Sequence, residues 1–216
     1  MTFQFNTVFE YWPMYLEGLR TTIYVTLGSL IFSLILSIPL AMIKITKNKI
    51  LNFIGFLYTD IFRALPSLVQ IYLVYFAAPQ LFGITFTAMT SAFITLSMNA
   101  AAYISEALRG GILSVDIGQR EAAKALGMPW HLEMLRIVAP QATKICILPL
   151  VNQFIATIKN TSILSAITLT ELTREGTLIA YNSFHYFEPY IAVAVLYLIL
   201  TTIFTQIAGV LERRMA

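Results

Sequence analysis

The sequence predicts an all-α, polytopic membrane helix bundle of about five transmembrane helices, and three observations carry that prediction. Hydrophobic residues make up 58% of the 216 and charged residues 12%, where soluble domains average about 25% charged. Mean hydropathy is +0.76, and 14 basic and 11 acidic side chains are too few to cover a soluble globule of this size. The uncharged residues are also gathered into runs long enough to cross a bilayer. This composition excludes disorder and collagen, and a single cysteine, Cys146, excludes a disulfide scaffold. A scattered net charge of +3 leaves no footprint for nucleic acid.

Residues 1–17 mix Phe3, Phe5, Phe9, Tyr11 and Trp12 with Glu10 and Glu17. That mixture suits an aromatic segment lying in the membrane interface, and equally a frayed terminus. The transmembrane domain, residues 18–216, opens with 23 uncharged residues from Thr21 to Ile43. As a helix these span about 35 Å, enough for a hydrocarbon core of roughly 30 Å. The run is too long for a secretory signal and lacks a small-residue cleavage site, so it reads as a retained span.

The next uncharged run, Ala64 to Ser105, has 42 residues. A straight helix of that length would reach about 63 Å, so the run must fold back. Turn chemistry at Ala78-Pro79-Gln80 and Gly83 places spans at 50–77 and 84–107. A fourth, less apolar segment covers 144–167 and contains Lys159. The fifth runs from Pro189 to Leu211, 23 uncharged residues between Glu188 and Glu212. With the amino terminus outside, the inner side receives Lys44, Lys47, Lys49, Arg109, Arg120, Lys124, Arg136, Lys144, Arg213 and Arg214. Arg20, Arg63, Lys159 and Arg174 are the basic residues left over. That bias puts residues 110–140 and the carboxyl terminus in the cytoplasm, and 170–187 outside.

The inner segment reads as helix, break, helix. Alanine and leucine favour a short first helix, Gly127 supplies a left-handed cap, and Pro129 suits the first turn of the next helix. Glu121 falls near the favourable end of the first helix's dipole. By composition alone this is also a plain amphipathic hairpin resting on the membrane.

At this point the sequence resembles the permease subunits of ABC importers. Their coupling-loop signature is Glu-Ala-Ala, three residues, Gly, nine residues, Ile, one residue, then Leu-Pro. Glu121, Ala122, Ala123, Gly127, Ile137 and Pro140 match at that spacing, with Ala139 in place of the usual leucine. Tyr103-Ile104-Ser105-Glu106-Ala107-Leu108-Arg109-Gly110-Gly111-Ile112 and Gly118-Gln119-Arg120-Glu121 are similar to the polar-amino-acid uptake branch. So are Pro66-Ser67-Leu68-Val69-Gln70, Lys159-Asn160-Thr161-Ser162 and Leu211-Glu212-Arg213-Arg214, and together the matches cover residues 18–214. One departure is local: after Arg63 the branch commonly has Gly-Thr-Pro, and this chain has Ala64-Leu65-Pro66.

The resemblance implies a type I ABC importer permease architecture, functional as a homo- or heterodimer in a bacterial cytoplasmic membrane. It implies alternating access, with residues 110–140 docking into a cytoplasmic ATPase. An extracytoplasmic binding protein would deliver an amino acid. The chain itself carries no Walker-type Gly-Lys-Ser or Gly-Lys-Thr, so ATP and Mg belong on the partner ATPase and no cofactor is expected here. No metal site is expected either, since His131 and His185 fall on opposite sides of the bilayer. An intramembrane enzyme is disfavoured, because Asp60 is the one aspartate within a span and Asp116 lies in the loop. A permease for another small polar solute, or a secondary transporter subunit, is the alternative; a co-purifying ATPase and binding protein separate the readings.

Polar groups inside the spans are candidate path residues. Asp60 and Arg63, three apart, are placed to form an intramembrane ion pair. Asn99 either hydrogen-bonds a neighbouring helix or faces the path. On the fourth span Asn152, Ile155, Ala156 and Lys159 share a face, with Gln153, Thr157 and Asn160 beside it. The resemblance makes Asn152, Gln153 and Asn160 pathway-facing. Amides both donate and accept, as a zwitterionic solute requires. With no acid on this span, the pattern favours a neutral or acidic polar amino acid.

Overall fold

A computed structural model describes residues 6–215, with side chains through Val210. Phe3, Phe5 and the side chains of Leu211-Glu212-Arg213-Arg214 lie outside the described residues. The chain forms helices α1 (Asn6–Glu10), α2 (Trp12–Ile45), α3 (Lys49–Ala64), α4 (Ser67–Phe82) and α5 (Ala88–Leu113). They are followed by α6 (Ile117–Ala125), α7 (Trp130–Ile167), α8 (Leu172–Ser183) and α9 (Phe187–Met215). No strand occurs among the described residues.

α2 shows the logic of the bundle. Its buried stripe is small and polar, with Thr22, Thr26, Ser29, Ser33 and Ser37 recurring every three or four residues. Its exposed face carries Ile31, Phe32, Ile35 and Ile38. This inverts a soluble helix: lipid accepts large apolar side chains outside, while small residues let helices approach inside. Hydroxyls on the stripe turn back to their own helix, Thr26 donating to the Thr22 carbonyl at 2.8 Å and Ser33 to the Leu30 carbonyl at 2.8 Å. α5 runs along α2 and also packs against α3 and α7, with Ala92, Leu96, Ala100, Ala101 and Ile104 buried.

By length and apolarity α2, α7 and α9 can each cross a membrane, and α3 with α4 passes as a fourth, bent pair. α5 is long enough at 26 residues, but Ser, Thr and Asn dilute it. Ringed by other helices, it needs no lipid-facing apolar surface. With α5 the five expected segments are present.

Three details differ from expectation. The second span is not one straight helix over 50–77, for α3 and α4 meet at Leu65–Pro66 with a bend of 104°. Pro66 has no N–H to give and pushes Leu65 into an extended conformation, φ −82° and ψ 136°. Next, Ala78-Pro79-Gln80 is helical and lies near the end of α4; the chain folds back at Gly83, where φ is +67°. Finally, the helix that carries the fourth span begins well before 144. α7 is a single 38-residue run from Trp130, interrupted by one wide turn at Met134–Val138 and tightened at Thr161–Ile167.

Candidate coupling loop and translocation path

The loop is built by its own backbone. Asp116 caps α6, its carboxylate accepting from the amides of Gly118 (2.8 Å) and Gln119 (3.3 Å). The cap therefore falls to Asp116, and Glu121 sits in the body of the helix, not at its dipole end, as expected from the sequence. α6 ends at Gly127 with φ +71°. The Gly127 amide donates to the Lys124 carbonyl (2.9 Å) and the Met128 amide to that of Ala123 (3.0 Å), the paired bonds of a Schellman ending. Pro129 lies one step outside the next helix as its N-cap, not within its first turn.

One ion pair locks the hairpin. Arg120 Nε on α6 donates to Glu133 Oε1 on α7 at 2.9 Å, and Glu133 is only 1% exposed. The sequence reading missed this pair because its partners are 13 residues apart across the break. Of the signature residues, Glu121, Ala122, Gly127 and Pro140 are at the surface, Ile137 is half-buried and Ala123 is buried. Leu126 at the tip is 83% exposed. Because α7 begins inside the loop and continues as a membrane span, a push on the tip reaches the bundle without crossing a flexible joint.

The path candidates separate into two groups. Asn152 is exposed, and Gln153 and Asn160 are half-buried; their side chains make no hydrogen bond among the described residues. Asn99 behaves differently. It is buried and donates to the Phe62 carbonyl and to Gln70 Oε1, both at 3.2 Å. Gln70, also buried, donates through Nε2 to the carbonyls of Phe62 (2.8 Å) and Leu65 (2.9 Å). In an unbroken helix the Phe62 carbonyl would accept from residue 66, which is a proline. Asn99 and Gln70 therefore mend the α3–α4 break. Asn99 is a structural hydrogen-bonding residue, and Gln70's part is visible in the sequence only as a long amide four residues after Pro66.

The expected Asp60–Arg63 pair does not form. Ion pairs form instead at Lys44–Glu106, Arg109–Glu106 and Arg120–Glu133. Arg63, in the last turn of α3, instead lays its guanidinium over the Tyr103 ring of α5, 5.4 Å from the centroid. Asp60 is left exposed. A buried cation appears where the sequence indicated a boundary charge: Lys44 is 3% exposed. Its Nζ donates to Thr59 Oγ1 (2.9 Å) and Ser105 Oγ (2.8 Å) and pairs with Glu106, tying α2, α3 and α5 together.

Comparison with known proteins agrees with this geometry. The model of the family described as "Binding-protein-dependent transport system inner membrane component" matches residues 29–216. A putative glutamine transport system permease protein, GlnP, of Rickettsia bellii is 38% identical over 92% of this chain and 91% of its own length. The arginine transport system permease protein ArtQ of Bacillus subtilis is 36% identical over 100% of this chain and 98% of its own. A crystal structure of an amino acid ABC transporter with histidines superposes with a TM-score of 0.93 at 34% identity, covering 99% of this chain and 100% of that one. An inward-facing MetNI methionine ABC transporter shares the fold, with a TM-score of 0.82 at 18% identity over 94% of this chain and 96% of its own.

Proposed function

The chain belongs to the binding-protein-dependent transport inner-membrane component family, membrane subunits of ABC importers, and from that premise we propose that it carries a polar amino acid by alternating access. It is a multi-pass permease whose ATPase is a separate subunit. In the proposed arrangement residues 110–140 face the cytoplasm and dock on that ATPase, which holds ATP and Mg, with Glu121, Ala122 and Gly127 at the contact. The amino terminus faces outward in a bacterial inner membrane. An extracytoplasmic protein delivers the solute, and a second permease subunit, identical or not, completes the path.

The observation that carries this reading is the row of unpartnered amides Asn152, Gln153 and Asn160 on α7, the same helix that leaves the loop. Lipid would penalise such a face, so it belongs against a path or a partner. Asp60, free of Arg63, supports a second reading in which the substrate is cationic.

The test is uptake of labelled glutamine, glutamate, cystine and arginine by the complex reconstituted with its ATPase and binding protein. We expect preference for a neutral or acidic solute and a drop of about tenfold in Gln153→Ala, the loss of one well-placed hydrogen bond to a charged group. Arginine preference abolished by Asp60→Asn establishes the cationic reading. No change for any substrate in Gln153→Ala makes the α7 row packing.

A further inference from the structure

Between the loop and the ends of the neighbouring bundle helices lies an open cavity of about 570 Å³. Its walls come from the ends of α2, α3 and α5 and from the inner faces of α6 and α7. Leu51 and Ile112 line it, together with Lys47, Arg120, Lys124 and Trp130, and no carboxylate does. Arg120 and Lys124 stand one turn apart on α6. Arg120 gives Nε to Glu133, whereas Lys47 and Lys124 are exposed and form no ion pair among the described residues. Trp130 is 54% exposed.

Cations around an apolar pocket, with an indole at the lip, are the chemistry of an anionic amphiphile. A free phosphate would leave the apolar wall unused, and a neutral lipid would leave the cations unused. We propose that this cavity binds an anionic phospholipid, its phosphodiester between Lys47 and Lys124 and its first methylenes on Leu51 and Ile112. The lipid then ties the loop to the ends of α2 and α3. The inference rests on reading residues 110–140 as a loop beside the bilayer.

The chain has two tryptophans, Trp12 and Trp130, so Trp12→Phe leaves Trp130 as the sole reporter. The full-length chain is placed in vesicles containing brominated phosphatidylglycerol or brominated phosphatidylcholine, and quenching of Trp130 is titrated. We expect phosphatidylglycerol to be favoured, by about fivefold for each lysine. Lys47→Gln with Lys124→Gln should bring the two lipids level, and the Lys→Arg pair should restore the preference. Equal quenching by both lipids, or a preference unchanged by the Lys→Gln pair, overturns the proposal. Loss of the preference in a large excess of inorganic phosphate makes it a free-anion site and also overturns it. Both leaflets carry the same lipid, so the result does not depend on which way the loop faces. Cysteine labelling from outside, reaching position 182 but not position 116, tests that orientation separately.

Discussion

The chain breaks and restarts a helix in two comparable places, at Leu65–Pro66 within the bundle and at Gly127–Pro129 in the loop, and it mends the freed backbone by opposite means. Inside the bundle the carbonyls of Phe62 and Leu65 are taken up by the side-chain amides of Gln70 and Asn99. In the loop the bonds run from backbone to backbone, Gly127 to Lys124 and Met128 to Ala123, and the remaining groups can reach water. Hydrocarbon offers no donor, and an unsatisfied carbonyl there costs several kcal/mol. One break therefore depends on particular side chains, and the other on a particular φ.

The largest expected effect is on the φ-dependent break. Gly127→Val places a β-branched residue at φ +71°, a conformation that is a genuine outlier for it. Insertion and assembly should persist while uptake by the reconstituted complex is lost. Wild-type uptake in an assembled Gly127→Val complex would refute the coupling role of the loop.

The side-chain-dependent break should respond in stability. Gln70→Leu strands the Leu65 carbonyl, leaves the Phe62 carbonyl to Asn99 alone and removes Asn99's side-chain acceptor, a loss of about 3 kcal/mol, visible as earlier thermal unfolding of the purified protein. An unchanged unfolding temperature would mean that something other than the amide mends the break. Asn99→Leu, which leaves Gln70 on both carbonyls, should cost about 1 kcal/mol. The double variant should cost less than the sum of the two, because they share one network. Strict additivity would disconnect Asn99 from the break.

The smallest effect belongs to a third junction, between α7 and α8, where a carboxylate takes the place of the amide. Glu171 accepts from the amides of Thr173 (2.9 Å) and Arg174 (2.8 Å) and from the Tyr197 hydroxyl (3.0 Å). Burial nonetheless lifts its carboxyl to about 7, against those opposing hydrogen bonds. A raised carboxyl binds more protons folded than unfolded. Its contribution is therefore full below the ordinary carboxylate range and fades as pH rises through about 7. Unfolding followed between acidic and neutral pH should show this decline, and Glu171→Gln should flatten it. The same slope in the variant would assign the dependence to another group.

The two breaks also differ in how legible they are in the sequence. Gly127 is readable because its need is local: alanine and leucine before it, proline after it, and a residue without Cβ where φ turns positive. The mending of Pro66 is not readable, since Gln70 and Asn99 are 29 residues apart and meet only when α4 folds against α5. Asp60 and Arg63 have the right spacing to pair, yet Tyr103, 40 positions along from Arg63, offers the guanidinium an aromatic face. Lys44 looks like a boundary charge until Glu106, 62 residues on, closes over it.

The sequence by itself determined the membrane class, the fold-back after the second span, the left-handed end of α6 and the amide row on α7. Each of these follows from composition or spacing over a few turns. Tertiary structure alone decided what each proline does. Pro39 and Pro149 remain inside continuous helices, while Pro66 turns the chain through 104°. All three lack the same N–H. At Pro66, side-chain amides brought in on α4 and α5 donate to the freed carbonyls, so a sharp bend is stable there in a medium without water.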